Sequence, residues 1–477
     1  MRLRWGIITG MIGGVVACRP SDVLSVPAPA GVTTSRALAS QAGAEAAFTN
    51  ARFQLFSAVA GELNVLTWSE LLTDEFVFNG VTADPGDANI DARATAAGGG
   101  FAEGGDGGWQ ALLNARSVLL LAVPGLATYE PAGGQSKVGE AYALIGYAEL
   151  FLAEDYCAGT PLDRVLPGGA GVQYGTPLTT DSLLGVAEVH FDSALAHANG
   201  DATVEGLASV GLGRTLLDRG QYLAAGMAVS TVPVGFVYNT ELAPSYDAGG
   251  VSISNMYAYA YSYPYGSFLR FFNVSDGEGG NGLHYRSAAD PRLTFDSSLT
   301  TADGGTWYLP TKFEVNFAYL PLATGVEAAL IGAEATLQGG DAGGWATDLN
   351  AIRANAPGTY LQLADSVPSL TPDSTLTASA AEQVDVMFRE RAFWLFGTGT
   401  RLGDLRRLVR QYGRDQSTVY PTGPYANGNN PNLPSPLPNY GTDVDLTLPT
   451  AAGLASDGLT AITNPNYKGC VTPTSSA

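Results

Sequence analysis

The chain has 477 residues, enough for a large core or for several lobes. Only 14% of them are charged, yet 45 acidic against 24 basic side chains leave a net charge of −21. A surface of that sign repels polyanions at long range, so nucleic acid is excluded as a partner. Lysine is confined to Lys137, Lys312 and Lys468.

The N-terminus reads as an address. Arg2 and Arg4 precede an uncharged apolar stretch from Gly6 to Ala17, which is too short for a stable span and fits a secretory signal over residues 1–17. Val15-Val16-Ala17-Cys18 resembles the bacterial lipobox, in which cleavage before the cysteine exposes it to acylation. We therefore expect Cys18 to carry lipid and residues 18–34 to form a lipid-anchored leader. Arg19 rather than Asp follows the cysteine, which by resemblance to lipoprotein sorting favours the outer membrane and the cell surface. No later segment is expected to cross a membrane. With Cys18 lipidated, Cys157 and Cys470 remain in an oxidising compartment, where an even count predicts a disulfide.

Helical spacing begins after the Pro/Ala-rich leader. Ala44, Ala47, Phe48, Ala51, Leu55 and Ala58 fall on one helical face. A Gly- and Asp-rich loop is expected over residues 79–108. Trp109, Leu112, Leu113, Arg116, Leu119, Leu120 and Val123 make the next stripe, and Val138, Ala141, Tyr142, Ile145, Ala148 and Leu152 another. A third runs through Leu184, Ala187, Phe191, Ala194 and Leu195, with Thr180 or Asp181 as its N-cap. Residues 203–229 and 326–354 each read as helix, Gly-containing turn, helix, which is a tetratricopeptide-like pattern. The expected architecture is mostly α: a helical scaffold over about 35–230 and 322–412, a loop-rich region over about 231–321, and a loop-rich tail over 413–477.

The loop-rich region carries the best ligand candidate. Tyr257, Tyr259, Tyr261, Tyr263 and Tyr265 fall at every second residue, one face of an extended strand, with Trp307 and Tyr308 further on. Sugars pack C–H faces on aromatic rings and need fixed polar partners for their hydroxyls. Core packing or a partner interface would use the same residues. Asp84, Asp87, Asn89 and Asp91 alternate in a manner that suits calcium, but the EF-hand glycine and terminal glutamate are missing, so a solvated loop is the preferred reading. His190 and His197 share a helical face without further ligands, so no metal site is assigned. No G-x-S-x-G, P-loop, HExxH or CxxC motif occurs, and neither a catalytic residue nor a cofactor is assigned.

Five segments, in order, resemble the SusD/RagB family. They are Asp22-Val-Leu-Ser-Val-Pro-Ala-Pro29 after the cysteine; Gly146-Tyr-Ala-Glu-Leu-Phe-Leu-Ala-Glu-Asp-Tyr-Cys-Ala-Gly-Thr-Pro-Leu162; and Ala289-Asp-Pro-Arg-Leu-Thr-Phe295 with Thr311-Lys-Phe313. Then come Glu327-Ala-Ala-Leu-Ile-Gly-Ala-Glu-Ala335 with Leu349-Asn-Ala-Ile-Arg353, and Glu390-Arg391 followed by Gly399-Thr-Arg-Leu-Gly-Asp-Leu-Arg-Arg407. Thr398 departs from the pattern, standing where the family has glutamate. The resemblance implies a fold of about four tetratricopeptide-like helix pairs packed on irregular loops. It also implies a TonB-dependent transporter of the SusC type as partner, with an oligosaccharide or a peptide as ligand. Arg401, Asp404 and Arg407 lie at helical pairing distance and read as structural. The competing readings are a glycoside hydrolase with paired carboxylates and a helical scaffold that binds proteins only.

Overall fold

A computed structural model of the chain describes residues 40–60, 65–78, 85–95, 105–130, 135–166, 171–241, 273–298, 305–312, 319–356, 366–425, 437–449 and 464–475. The predicted stripes become helices. In α1 (Gln41–Ala60), Ala44, Phe48, Ala51, Leu55 and Ala58 are buried. After α2 (Val65–Leu71) comes a short helix, α3 (Pro85–Asp91), inside the segment expected to be loop. Proline at the first helical position gives up no hydrogen bond there, and Ala88 and Ile90 supply buried anchors. The expected loop also ends early, because α4 (Gly105–Tyr129) begins before Trp109.

Within α4, Gly108–Tyr129 is long and apolar enough to cross a membrane, contrary to the expectation from sequence. Its face through Trp109, Leu112, Ala115, Leu119 and Leu126 is buried in the core, and Arg116 on that helix bonds the buried Glu149 at 2.6 Å. A core helix accounts for that apolar length.

The scaffold continues through α5 (Ser136–Asp155), α6 (Thr180–His197), α7 (Ala202–Asp218) and α8 (Tyr222–Val229). It resumes with α9 (Gly325–Gln338) and α10 (Ala342–Asn355). Each helix packs on the next, and α9 packs on both α7 and α8, so the later pair extends the earlier stack. Small residues set the spacing. The Phe191 ring lies between Gly146 and Gly211, where an added Cβ would sit 2.9 Å and 2.2 Å from it. The two look-alike pairs turn at Gly220 (φ 70°) and Gly340 (φ 84°), a left-handed conformation that favours glycine.

Caps fix the helix starts. Asp201, Thr324 and Asp341 accept first-turn N–H groups of α7, α9 and α10. For α6 the cap is Thr179 rather than Thr180 or Asp181: its extended backbone lets Oγ1 accept from Ser182 N at 3.2 Å. Asp181 instead occupies the first turn, where its charge suits the helix dipole. Ser379 and Glu382 form a reciprocal capping box on α11 (Ala380–Trp394), and α12 (Arg401–Arg410) follows.

Strands are short and paired in twos. Phe76–Val77 pairs with Asn273–Val274, Arg164–Val165 with Val172–Gln173, and Phe295–Asp296 with Leu309–Pro310, all antiparallel. The longest pair, Val237–Glu241 with Tyr319–Thr324, brackets the loop-rich region and leads directly into α9.

Candidate functional site

The aromatic residues singled out from sequence divide. Tyr257, Tyr259, Tyr261, Tyr263 and Tyr265 lie outside the described residues, as does Cys18. Trp307 is only 5% exposed and belongs to the hydrophobic core, so its place here is packing. Tyr308 is half-buried and borders the surface. Its backbone N–H donates to Asn273 Oδ1 at 2.8 Å, which holds the residue against the neighbouring strand. Phe295 meets its ring edge-on at 5.6 Å between centroids. The Arg286 guanidinium carbon stands 4.1 Å from the Tyr308 centroid, within cation–π range. Arg286 was not singled out from sequence, because no local pattern ties it to a ring 22 positions away.

A concave surface lies on the helical pairs. A groove of about 1030 Å³ runs between α8, α9 and α10, lined by small and apolar residues including Ala328, Gly332, Ala335 and Ile352. Leu223 and Met227 stand exposed beside it, at 78% and 69%. Among the described residues, Asp341 and Asp348 are its only charged lining residues. A lining this apolar offers sugar hydroxyls few fixed partners and suits an apolar segment better.

Beneath these surfaces the motifs of the sequence converge in a buried knot of ion pairs. Asp290 and Arg292 bond each other at 2.7 and 2.8 Å, and Arg292 reaches Glu390 at 2.8 Å. Glu390 also receives Arg353. Arg391 and Arg407 both bond Asp404, and Arg407 also clamps Glu334. Arg401 forks onto Asp74, and Arg214 joins Glu154 to the carbonyl of Gly399. Arg406 donates to the carbonyls of Ala153 and Glu154 at the end of α5. Burial opposes ionisation of Asp404, but the Arg391 and Arg407 guanidinia hold its carboxyl below the ordinary range. The signature from Arg401 to Arg407 is thus consumed in buried ion pairs and carbonyl contacts, whose desolvation cost offsets much of their Coulombic gain.

The loop after α11 is gripped in the same way. Lys312 Nζ donates to the carbonyls of Phe393, Trp394 and Phe396 at 2.7–3.2 Å. Glu75 and Glu70 accept from the N–H groups of Gly397 and Gly399 at 3.0 and 3.1 Å. Burial pushes Glu75 up to about 8 and Lys312 down to about 7. Thr398 caps the carbonyl of Leu395 at 2.6 Å.

Asp91 does not belong to a solvated loop. It is buried, and its Oδ2 accepts from Phe78 N and the Tyr425 hydroxyl at 2.9 and 2.7 Å. Burial raises its carboxyl to about 6. Among the described residues no group of three or more His, Cys, Asp or Glu side chains is placed to hold a metal ion. His190 is spoken for as well: its Nδ1 lies 2.7 Å from Glu149, which also receives Arg116.

Cys157 and Cys470 are joined in a disulfide that pins the C-terminal segment to the end of α5. Val471 N donates to the Ala158 carbonyl at 2.8 Å and Cys157 N to that of Leu446 at 3.0 Å, so the attachment extends beyond one bond.

No protein-family model matches the sequence, and no curated protein sequence matches it. Solved structures do match. A surface glycan-binding protein A from Bacteroides uniformis superposes with a TM-score of 0.55 at 14% identity, over 89% of this chain and 99% of that one. A SusD-like protein from Bacteroides fragilis gives 0.54 at 14%, over 90% and 98%. A SusD-like carbohydrate-binding protein from Bacteroides vulgatus gives 0.53 at 16%, over 77% and 83%. With stacked helical pairs, short paired strands and few regular elements elsewhere, the chain has the SusD-like fold.

Proposed function

We propose that this chain is a surface-exposed outer-membrane lipoprotein that binds an oligosaccharide and delivers it to a TonB-dependent transporter of the SusC type. The observation that carries the reading is the likeness, over 77–89% of the chain, to proteins described as glycan- or carbohydrate-binding. The border at Tyr308, with a ring edge, a ring face and a guanidinium together, has the mixed apolar and polar character that sugars need. Catalysis finds less support. The neighbours are described as binding proteins, and the buried carboxylates of the ionic knot are held by guanidinia rather than free to exchange protons with a substrate.

The test is calorimetric titration of the soluble form that starts after Cys18 against panels of oligosaccharides and peptides, with product analysis of each mixture. Binding of an unaltered oligosaccharide is the expected result. Binding of peptides alone would replace the ligand class, and appearance of shortened glycans would replace the function. Anchorage has its own test: Cys18→Ser should move the protein from the outer-membrane fraction to the soluble fraction in cells lacking the transporter.

A further inference from the structure

We propose that Arg286, stacked on Tyr308, is a fork for an oxyanion on the ligand, and that the oligosaccharide taken by this protein is therefore acidic, bearing uronate carboxylates or sulfate esters. The inference rests on the glycan-binding reading above and narrows it. Three observations meet at this residue.

First, the guanidinium is unmatched. Among the described residues the Arg286 side chain makes no hydrogen bond or ion pair, and its buried Nε lacks an acceptor while its terminal nitrogens are not enclosed. The carboxylate that acts on it electrostatically is Asp276, whose Oδ1 is already occupied by Ser287 N and Oγ at 2.9 and 3.0 Å. The exposed His284 ring also flanks Asp276, at 3.9 Å. Second, the arginines of the ionic knot behave otherwise. With 45 acidic and 24 basic residues, carboxylates are in excess; Arg292, Arg353, Arg391 and Arg401 each take one or two, and Arg407 takes three. Third, the group is already oriented. The Tyr308 ring, 4.1 Å from the guanidinium carbon, limits where the group can move, so less side-chain freedom is lost when two parallel N–H groups meet a planar carboxylate.

The net charge of −21 does not oppose this at contact. Salt screens charges beyond about 8 Å at physiological ionic strength, so the wider surface sets the rate of approach more than the strength of a short bidentate contact. Duplex DNA, with one charge per about 1.7 Å, meets that wider surface far more strongly than a sugar chain with at most a charge or so per residue.

The experiment titrates the soluble form starting after Cys18 with oligogalacturonate, its methyl ester, a sulfated galactan oligosaccharide, a neutral malto-oligosaccharide and oligoglutamate. The oligogalacturonate and sulfated arms separate the two oxyanions. At least one of them should bind tenfold or more tighter than the ester and the neutral sugar. Arg286→Gln should abolish that preference without shifting the melting temperature. Arg286→Lys, which keeps the charge but not the planar fork, should reduce the preference severalfold and serves if the glutamine variant fails to fold. Equal binding of acid and ester, or a preference intact in both variants, overturns the inference and leaves glycan binding standing. Oligoglutamate captured through Arg286, with no anionic glycan bound, reassigns the fork to acidic peptides and overturns it too. Failure of every glycan, the neutral one included, overturns the underlying reading as well.

Discussion

Arg407→Met tests whether the ionic knot holds the scaffold together. Arg407 is 1% exposed; its guanidinium clamps both oxygens of Glu334, donates to Asp404 Oδ1 at 2.8 Å, lies 3.4 Å from Asp218 and covers the Phe388 ring at 5.0 Å. Methionine keeps the apolar stem and removes every donor. Asp404 would still have Arg391 at 2.7 Å, while Glu334 would keep only the Tyr412 hydroxyl at 2.5 Å and Arg391 at 3.9 Å. Removing one partner of a buried pair costs about 3–5 kcal/mol, and the partners that remain place this case near about 3. Urea unfolding, followed by fluorescence and circular dichroism with coincident transitions, reads the loss as a shift in midpoint. Adding Glu334→Gln removes the stranded charge, so the double variant should recover at least about 1 kcal/mol relative to additivity. A single-variant loss under about 1 kcal/mol, or an additive cycle, would show that the knot is not what binds α9 to α12.

Three further outcomes are expected. Asp155 is fully buried with neither oxygen hydrogen-bonded among the described residues, and burial raises it to about 8 against the pull of Arg214 and Arg406. Its folded pKa lies above an unfolded value of about 3.9, so its contribution is complete below that value and is lost as pH rises toward 8; the urea midpoint of Asp155→Asn should fall less between pH 5 and 8 than that of the parent, and parallel curves would refute the assignment. Replacing Cys157 and Cys470 together by serine opens a link between residues 313 apart, which the chain-entropy account values at up to about 5 kcal/mol; an unchanged urea midpoint would mean that the backbone contacts around Ala158 and Leu446 carry the attachment alone. Trp307→Ala should cost about 3–5 kcal/mol because the ring is core; a thermal melt matching the parent would return Trp307 to the list of ligand-facing residues.

The helical half of the fold was legible because its signal is local. A stripe such as Leu184, Ala187, Phe191 and Ala194 declares its buried face through spacing alone, and all four are buried. The same spacing placed Asp404 within reach of Arg407. What spacing does not encode is partnership across the chain. Nothing near Glu154 announces Arg214, and nothing near Asp74 announces Arg401, since these contacts depend on how helices stack. The short helix at Pro85–Asp91 was missed because its glycine and aspartates outweighed two apolar residues, Ala88 and Ile90, that tertiary packing buries. Trp307 and Tyr308 looked alike as neighbouring aromatics, yet alternation sends one inward and leaves the other at the border. The tyrosines from Tyr257 to Tyr265 lie outside the described residues, so the strongest compositional signal in the sequence is tested by binding rather than by geometry.

The ties between the two ends of the chain also set an order of events. Asp74 is held by Arg401, Arg93 by the carbonyls of Pro421 and Asp443, and Cys157 by Cys470. Early residues therefore wait for late ones, and a chain emerging from its N-terminus stays unfinished until its last segment is available. Such high contact order slows folding.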